Sequence, residues 1–167
     1  MNKLFLDELM DQLALGGDLH CVVTKVSQEY LKEYILEDQN YVPFPMVCKE
    51  YTKDSNFIVD IDESKFLNNK DYDLTWLIGS DYDGYPSFLL CLDSCENSQF
   101  ILFIEVFEVN NFMRGQGMGA NVLSILESVA EKYYTHISVS PFDTDAMNFW
   151  EHMEYVEGKN GQWSKKL

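Results

Sequence analysis

Positively charged residues are scarce in this sequence. Its 167 residues include 12 Lys and Arg against 28 Asp and Glu, a formal net charge of −16 at pH 7, and Arg114 is the single arginine. A chain of this charge repels phosphate backbones, which argues against nucleic acid as a main partner, and it attracts cations. Residues 54–83 hold eight carboxylates against two lysines. This segment either concentrates a cationic ligand beside a site or is a solvated face that maintains solubility.

Long apolar runs and paired metal ligands are also missing. No run approaches the length that crosses a membrane, and the first 15 residues carry acids among the leucines and lack a small-residue cleavage site. We therefore expect a cytoplasmic protein with no membrane partner. The four cysteines lack paired C-x-x-C spacing with histidines, and the three histidines lie far apart, so no metal site is predicted.

The apolar residues that are present predict one globular domain over residues 1–167. Hydrophobic residues make up 46% of the chain and aromatic residues 14%, which is enough for a proper core. Apolar residues recur at helical spacing from Leu6 to Leu13, and Gly16 follows them, so we expect an N-terminal helix that packs on the core or forms a dimer contact. A second helix is predicted at 28–37, and strands are predicted at 19–26, 57–61, 74–79, 86–92, 100–109, 137–140, 155–157 and 162–165.

The most distinctive stretch is the glycine-rich loop 114–120, RGQGMGA, which follows the predicted strand 100–109 and opens an amphipathic run that continues to Tyr133. Because a glycine inside a helix costs about 1 kcal/mol relative to alanine, three glycines in five residues indicate that the backbone itself is used. Exposed N–H groups at a helix N-terminus bind anions such as a pyrophosphate. The cation at Arg114, where the helix dipole disfavours it, also indicates a nearby anion. A glycine-rich turn that caps a helix without a ligand is the alternative.

Two nucleotide-binding motifs fit this loop poorly. No Lys-Ser/Thr follows the last glycine, so a nucleotide-hydrolysing P-loop is not supported. Gly115, Gly117 and Ala120 match the spacing of a dinucleotide fingerprint, but the next predicted strand, 137–140, carries no acid to hold a ribose. The loop therefore favours a different phosphate ligand.

The R-x-x-G-x-G pattern of Arg114, Gly117 and Gly119 resembles the coenzyme A loop of the GNAT superfamily, the acyl-CoA-dependent N-acyltransferases. In that family the loop lies between a central strand and a long helix, and a further strand and a short helix follow. The same order of elements is predicted here, with 137–140 as the following strand. The resemblance covers residues 100–167.

A second pattern supports the resemblance. Asp143, Ala146, Phe149 and Trp150 fall at the spacing of the family's Asn-x-x-Ala-x-x-Phe-Tyr, and Tyr155 stands where the family usually has a phenylalanine. Two of these residues depart from the pattern. Trp150 replaces the tyrosine that protonates the departing thiolate in many members, and Asp143 replaces an asparagine, which adds like charge near the cofactor.

The resemblance implies a fold and a co-substrate. The fold would be α/β (α+β), a single GNAT-like domain with a mixed, mostly antiparallel sheet of about six to seven strands flanked by helices. Residues 1–17 would be an added N-terminal helix, and residues 100–167 would be the acyl-CoA-binding and C-terminal core. Acetyl-CoA would be the co-substrate, with no metal. The residues implied to contact it are Val109, Arg114, Gly115, Gln116, Gly117, Met118, Gly119, Ala120, Asp143 and Phe149.

The resemblance also implies a general base on the strand before the loop. Glu105 falls where several members carry a catalytic Glu or His, and a strand-borne carboxylate whose pKa is raised by burial suits proton removal from an amine, through a water. Glu108 is the second candidate, and an ordinary polar role for Glu105 is the alternative. Tyr155 or water would supply the acid for the thiolate. Strict alternation along the strand predicts one side with Phe103, Glu105, Phe107 and Val109 and the other with Ile104, Val106 and Glu108.

Several functions remain open at this stage. The leading hypothesis is an N-acetyltransferase that acts on a primary amine, either a small cationic amine or a peptide amine. Acylation of an alcohol and transfer of a longer acyl group are further enzyme hypotheses. A degenerate acyl-CoA-binding sensor and an interaction protein that binds no CoA belong to other classes. Edge-strand pairing through the last hairpin would allow a homodimer.

Overall fold

The computed structural model describes residues 1–16, 21–27, 74–94 and 100–167. The helix predicted at 28–37 and the strand predicted at 57–61 lie outside the described residues. Most of the acidic segment 54–83 also lies outside them.

A seven-stranded sheet forms the centre of the described part of the chain. Its order is β1-β2-β3-β4-β5-β7-β6, and every neighbouring pair is antiparallel except β4 and β5, which are parallel. This confirms the predicted mixed, mostly antiparallel sheet. The strands are β1 (Val22–Val26), β2 (Thr75–Ser80), β3 (Pro86–Asp93), β4 (Ile101–Val109), β5 (His136–Val139), β6 (Val156–Glu157) and β7 (Trp163–Lys166).

Three α-helices accompany the sheet in the described residues: α1 (Lys3–Leu15), α2 (Met118–Ala130) and α3 (Thr144–His152). Helix α1 packs against α2, and Phe5 makes edge-on ring contacts with Tyr133 and Tyr134 at centroid distances of 5.7 and 5.1 Å. Glu8 accepts hydrogen bonds from Lys132 and from the Tyr133 hydroxyl. The predicted core-packing role of the N-terminal helix is confirmed.

The β2–β3 connection is the predicted hairpin. Asp81 Oδ1 accepts hydrogen bonds from the N–H groups of Asp83 and Tyr85 at 3.0 and 2.9 Å. Gly84 adopts a positive φ of 85°, a conformation that L residues with a side chain rarely adopt. The turn chemistry of the sequence DYDG therefore defines this hairpin.

An irregularity in β4 alters which side chains face the core. Cys91 pairs with Val106 while Leu92 pairs with Ile104, so Glu105 is the extra residue of a bulge. Consequently Ile104 and Phe107 lie on the core face of the sheet, whereas Val106 and Glu108 lie on the opposite face, where their partners are Cys91 and Leu89. The predicted strict alternation was wrong because one inserted residue reverses the facing of every later side chain.

The parallel pair β4 and β5 is short. It joins only residues 101–104 to residues 136–139, and β4 then continues through Val109 without β5 beside it. Pairing between the two strands therefore ends at Ile104 and Val139, which leaves the second half of β4 without a parallel neighbour. The first residues of α2 and of α3 line the cleft beside this part of β4, and the candidate site lies there.

Candidate active site

A cleft of about 550 Å³ lies between the second half of β4, the glycine-rich loop, the segment after β5, and α3. Ten of the twelve predicted site residues line it. Their shared position follows from the fold, because the loop continues from β4 and the start of α3 follows β5. The ten are Glu105, Val109, Arg114, Gly115, Gly117, Met118, Gly119, Ala120, Asp143 and Phe149.

Two glycines shape the loop backbone. Gly115 and Gly117 have φ values of 76° and 82°, and a Cβ added at either would meet nothing within 4 Å. Gly117 is the N-cap of α2, and no side chain caps this helix. The N–H groups of the first helical turn have no carbonyl partner within the helix, so they are oriented to bind an anion at the cleft.

The second helix N-terminus in the cleft is satisfied differently. Asp143 is the N-cap of α3, and its Oδ1 accepts a hydrogen bond from the Ala146 N–H at 2.8 Å. The carboxylate thus accepts a hydrogen bond from one of the N–H groups that have no partner within the helix, and its negative charge interacts favourably with the helix dipole. Of the two termini, that of α2 is therefore the better position for an added phosphate.

An apolar wall borders the cleft next to the loop. Gly119 lies next to it, since a Cβ built there would come within 3.4 Å, a van der Waals distance, of atoms of both Phe149 and Val109. The ring of Phe149 lies 6.0 Å from that of Phe107 and 5.2 Å from that of Trp150. This wall is suited to the uncharged part of an extended ligand.

Arg114 is held by the end of β4. Its Nη2 donates to Glu108 Oε1 at 2.7 Å, and its Nε donates to the Val109 carbonyl at 3.1 Å. The anion expected beside this arginine is thus, in the protein itself, a carboxylate of the preceding strand. Glu108 lines the cleft as well.

Glu105 projects from the bulge and lines the cleft. Part of its side chain is exposed, yet partial burial of the carboxyl raises its pKa, and the negative charge of Asp93 raises it further. Cys91, from the neighbouring strand, is fully buried, and burial raises the pKa of its thiol well above the ordinary value. A carboxyl with a raised pKa at a cleft has the properties of a general base.

Two predicted site residues lie outside the cleft. The Gln116 side chain donates to the Phe112 carbonyl at 3.3 Å and is exposed. Tyr155 is buried against Trp150, at a centroid distance of 4.8 Å, and burial followed by the charge of Glu127 raises the pKa of its phenol well above the ordinary value. This placement argues against Tyr155 as the acid, because its hydroxyl does not reach the cleft.

Sequence reasoning missed several cleft residues. Phe142, Asp145 and His152 line the cleft together with Met113 and Ser140. Phe142 and Asp145 flank Asp143 in sequence, so proximity to a predicted contact was the one available signal. His152 gave no such signal, because only the direction of α3 brings its last turn toward the cleft. No group of three or more His, Cys, Asp or Glu in the described ranges could hold a metal ion.

The site and fold together define a class of protein: a mixed α/β domain whose parallel central strands pair over only four residues each, beside a glycine-rich helix start that no side chain caps. A scan against protein-family models finds no match to this chain, and a search of curated proteins finds none. Solved structures do match. A GNAT-family acetyltransferase from Staphylococcus aureus Mu50 is 15% identical over 88% of this chain and 99% of that chain, with a TM-score of 0.63.

Two further solved structures match this chain. The GNAT domain of S. lividans PAT is 12% identical over 88% of this chain and 90% of that chain, with a TM-score of 0.56. Nourseothricin acetyltransferase is 15% identical over 56% of this chain and 65% of that chain, with a TM-score of 0.47. The two structures with TM-scores above 0.5 show that this chain has the GNAT fold, which confirms the resemblance drawn from its loop at the level of fold. In the part of the chain that the structure describes, no helix is both long and apolar enough to span a membrane.

Proposed function

We propose that this protein is an acetyl-CoA-dependent N-acetyltransferase that acts on a primary amine. The observation that carries the proposal is the uncapped N-terminus of α2, which opens into the same cleft as the Glu105 carboxyl. One end of the cleft thus suits a pyrophosphate, and a candidate base lies farther along the same strand. At about 3.3 Å per residue, the Cα atoms of Glu105 and Val109 are roughly 13 Å apart, which leaves room for an extended arm between them.

The donor would lie along β4. In this proposal the N–H groups at 117–120 bind its pyrophosphate, and Phe149 packs against its uncharged arm. The β4 backbone from Glu105 to Val109 has no β5 strand beside it, so its free edge is available to pair with the amide groups of the arm. With the pyrophosphate held at the Val109 end, the thioester would lie toward Glu105, where a free-edge N–H of β4 would polarise its carbonyl as the amine attacks.

Glu105 would act as the base through a water. The amine nitrogen bonds to the thioester carbon, its proton passes through the water to the Glu105 carboxylate, and the carbon–sulfur bond breaks to release a thiolate. A raised pKa brings this carboxyl closer to neutral pH, where it exchanges protons more effectively. Since a thiol has a pKa of about 8.5, the leaving group takes its proton from water, without Tyr155.

The charge of the cleft favours a cationic acceptor. Glu105, Glu108, Asp143 and Asp145 line it, and Arg114 is already paired with Glu108. A chain of net charge −16 also concentrates cations near its surface. Small cationic amines and peptide amines both meet this description, and we propose them as the acceptor class.

One observation favours a second function, that of an acyl-CoA-binding sensor without turnover. Trp150 occupies the place of the family's acidic tyrosine and lines the cleft, whereas Tyr155 does not. An indole N–H cannot release a proton near neutral pH. The intact loop and the Glu105 carboxyl favour the enzyme over this alternative.

The proposal is tested by titration calorimetry with acetyl-CoA on the wild type and Gly117→Trp, followed by thiol release with a panel of polyamines and peptide amines. A Cβ at Gly117 would meet no protein atom within 4 Å, but its φ of 82° is one that L residues rarely adopt. Lost binding in a folded variant would therefore show that donor binding depends on the backbone of this loop. Turnover that falls at least tenfold in Glu105→Gln supports the base. Binding without turnover on any amine favours the sensor, and absence of binding by the wild type contradicts both functions.

A further inference from the structure

The carboxylate of Glu108 and the guanidinium of Arg114 form an ion pair at the phosphate end of the cleft. The atoms Glu108 Oε1 and Arg114 Nη2 are 2.7 Å apart, and the two side chains are 5% and 45% exposed. Arg114 also donates through Nε to the Val109 carbonyl at 3.1 Å. Two donors of one rigid guanidinium therefore contact two consecutive residues of β4.

The position of Glu108 depends on the bulge in β4. Because Glu105 is inserted, Glu108 faces away from the main core and pairs with Leu89 of β3. A buried carboxylate is costly unless a cation or hydrogen-bond donors compensate it. Arg114 provides such compensation from six residues farther along the chain, so the pair fastens the start of the glycine-rich loop to the strand that precedes it.

This arrangement changes the role of the only arginine. A guanidinium that already bonds a carboxylate and a carbonyl is directed toward β4, so the N–H groups of α2 remain as the contacts for the pyrophosphate. We propose that Glu108 is a positioning residue for donor binding: by holding Arg114 on the end of β4, it orients the loop whose backbone binds the pyrophosphate. This inference rests on the proposed donor site.

A direct contact between Arg114 and the pyrophosphate would give Glu108 the opposite effect on donor affinity. If Arg114 bound the pyrophosphate directly, the neighbouring carboxylate would only repel the donor and compete for the arginine. Removal of Glu108 would then tighten donor binding, while removal of Arg114 would weaken it. If Glu108 positions Arg114, both removals weaken binding, and removal of both does little further harm because the two residues act as a unit.

The test measures the Kd of acetyl-CoA by calorimetry on the wild type, Glu108→Ala, Glu108→Gln, Arg114→Ala and the double variant Glu108→Ala/Arg114→Ala. We expect each Ala variant to raise the Kd by about tenfold, since charge-assisted hydrogen bonds are lost, and the double variant to resemble the single ones. Glu108→Gln keeps an acceptor oxygen, so we expect a smaller rise. With a reactive amine, the donor KM should rise while kcat stays within about twofold.

The control is Glu151→Ala, which removes an exposed carboxylate of α3 that does not line the cleft; its Kd should equal that of the wild type. Thermal unfolding checks that each variant is folded, and Glu108→Gln alone decides the question if Glu108→Ala is not. An unchanged or lower Kd in the Glu108 variants overturns the inference while the donor site stands. No binding by the wild type overturns the proposed function and the inference with it.

Discussion

The Asp143 carboxylate caps α3 by accepting a hydrogen bond from the Ala146 N–H at 2.8 Å, and the same residue lines the cleft beside the glycine-rich loop. These two roles respond differently to substitution. Asp143→Asn keeps an acceptor oxygen for the cap but removes a negative charge. We expect its stability to match that of the wild type and its affinity for acetyl-CoA to increase modestly.

Asp143→Ala is the matched comparison. It removes both the cap and the charge, and we expect it to lower the free energy of unfolding by about 1 kcal/mol. Urea unfolding followed by circular dichroism measures the stability, and calorimetry measures the affinity. If Asn is as destabilising as Ala, the helix cap is not what the carboxylate provides.

The pKa of Glu105 predicts how stability depends on pH. Burial and the charge of Asp93 raise this pKa above the ordinary value of 4.5, so the folded state binds the proton more tightly than the unfolded chain. The contribution of Glu105 to the free energy of unfolding is therefore greatest below pH 4.5, and it decreases as the pH rises through the folded-state pKa. Glu105→Gln should therefore be more stable than the wild type at neutral pH, and the difference should vanish below pH 4.5. Thermal unfolding from pH 4 to 8 measures it.

The same carboxyl predicts the pH dependence of the reaction. A base must be unprotonated, so kcat/KM should rise with pH through the folded-state pKa of Glu105. In Glu105→Gln, kcat/KM should be much lower and should no longer rise with pH in this range. If the variant shows the same rise with pH as the wild type, the rise comes from the titration of another group.

The packing of Phe5 indicates how much the N-terminal helix α1 contributes to the stability of the fold. Its side chain is fully buried and contacts Tyr133 and Tyr134, whereas the adjacent Leu4 is 70% exposed. We expect Phe5→Ala to lower the free energy of unfolding by about 3–5 kcal/mol and Leu4→Ala to change it by less than about 0.5 kcal/mol. Chemical denaturation compares the two, and equal effects would contradict core packing of α1.

Trp150 tests whether a phenol is needed at its position. Because the thiolate is a competent leaving group, we expect Trp150→Tyr to leave kcat within about threefold of the wild type, with some loss of stability from the smaller ring. Steady-state thiol release measures kcat at saturating donor. A large increase in rate would mean that the wild type lacks an acid it can use.

Local signals in the sequence were enough for several elements. The helical spacing from Leu6 to Leu13 corresponds to α1, and the DYDG turn corresponds to the β2–β3 hairpin. Both depend on contacts within a few residues. The bulge at Glu105 could not be predicted, because it depends on how β4 aligns with β3, and apolar residues on both sides of β4 conceal the change of face.

The sequence by itself determined where the glycine-rich loop lies and what it is made of, because positive φ angles at Gly115 and Gly117 and the absence of a capping side chain are local properties of those residues. Tertiary structure decided the rest of the site. It placed Tyr155 in the core instead of the cleft, brought His152 to the cleft and paired Arg114 with Glu108. These outcomes depend on strand register and on the direction in which helices cross the sheet, and neither is encoded in the immediate neighbours of a residue.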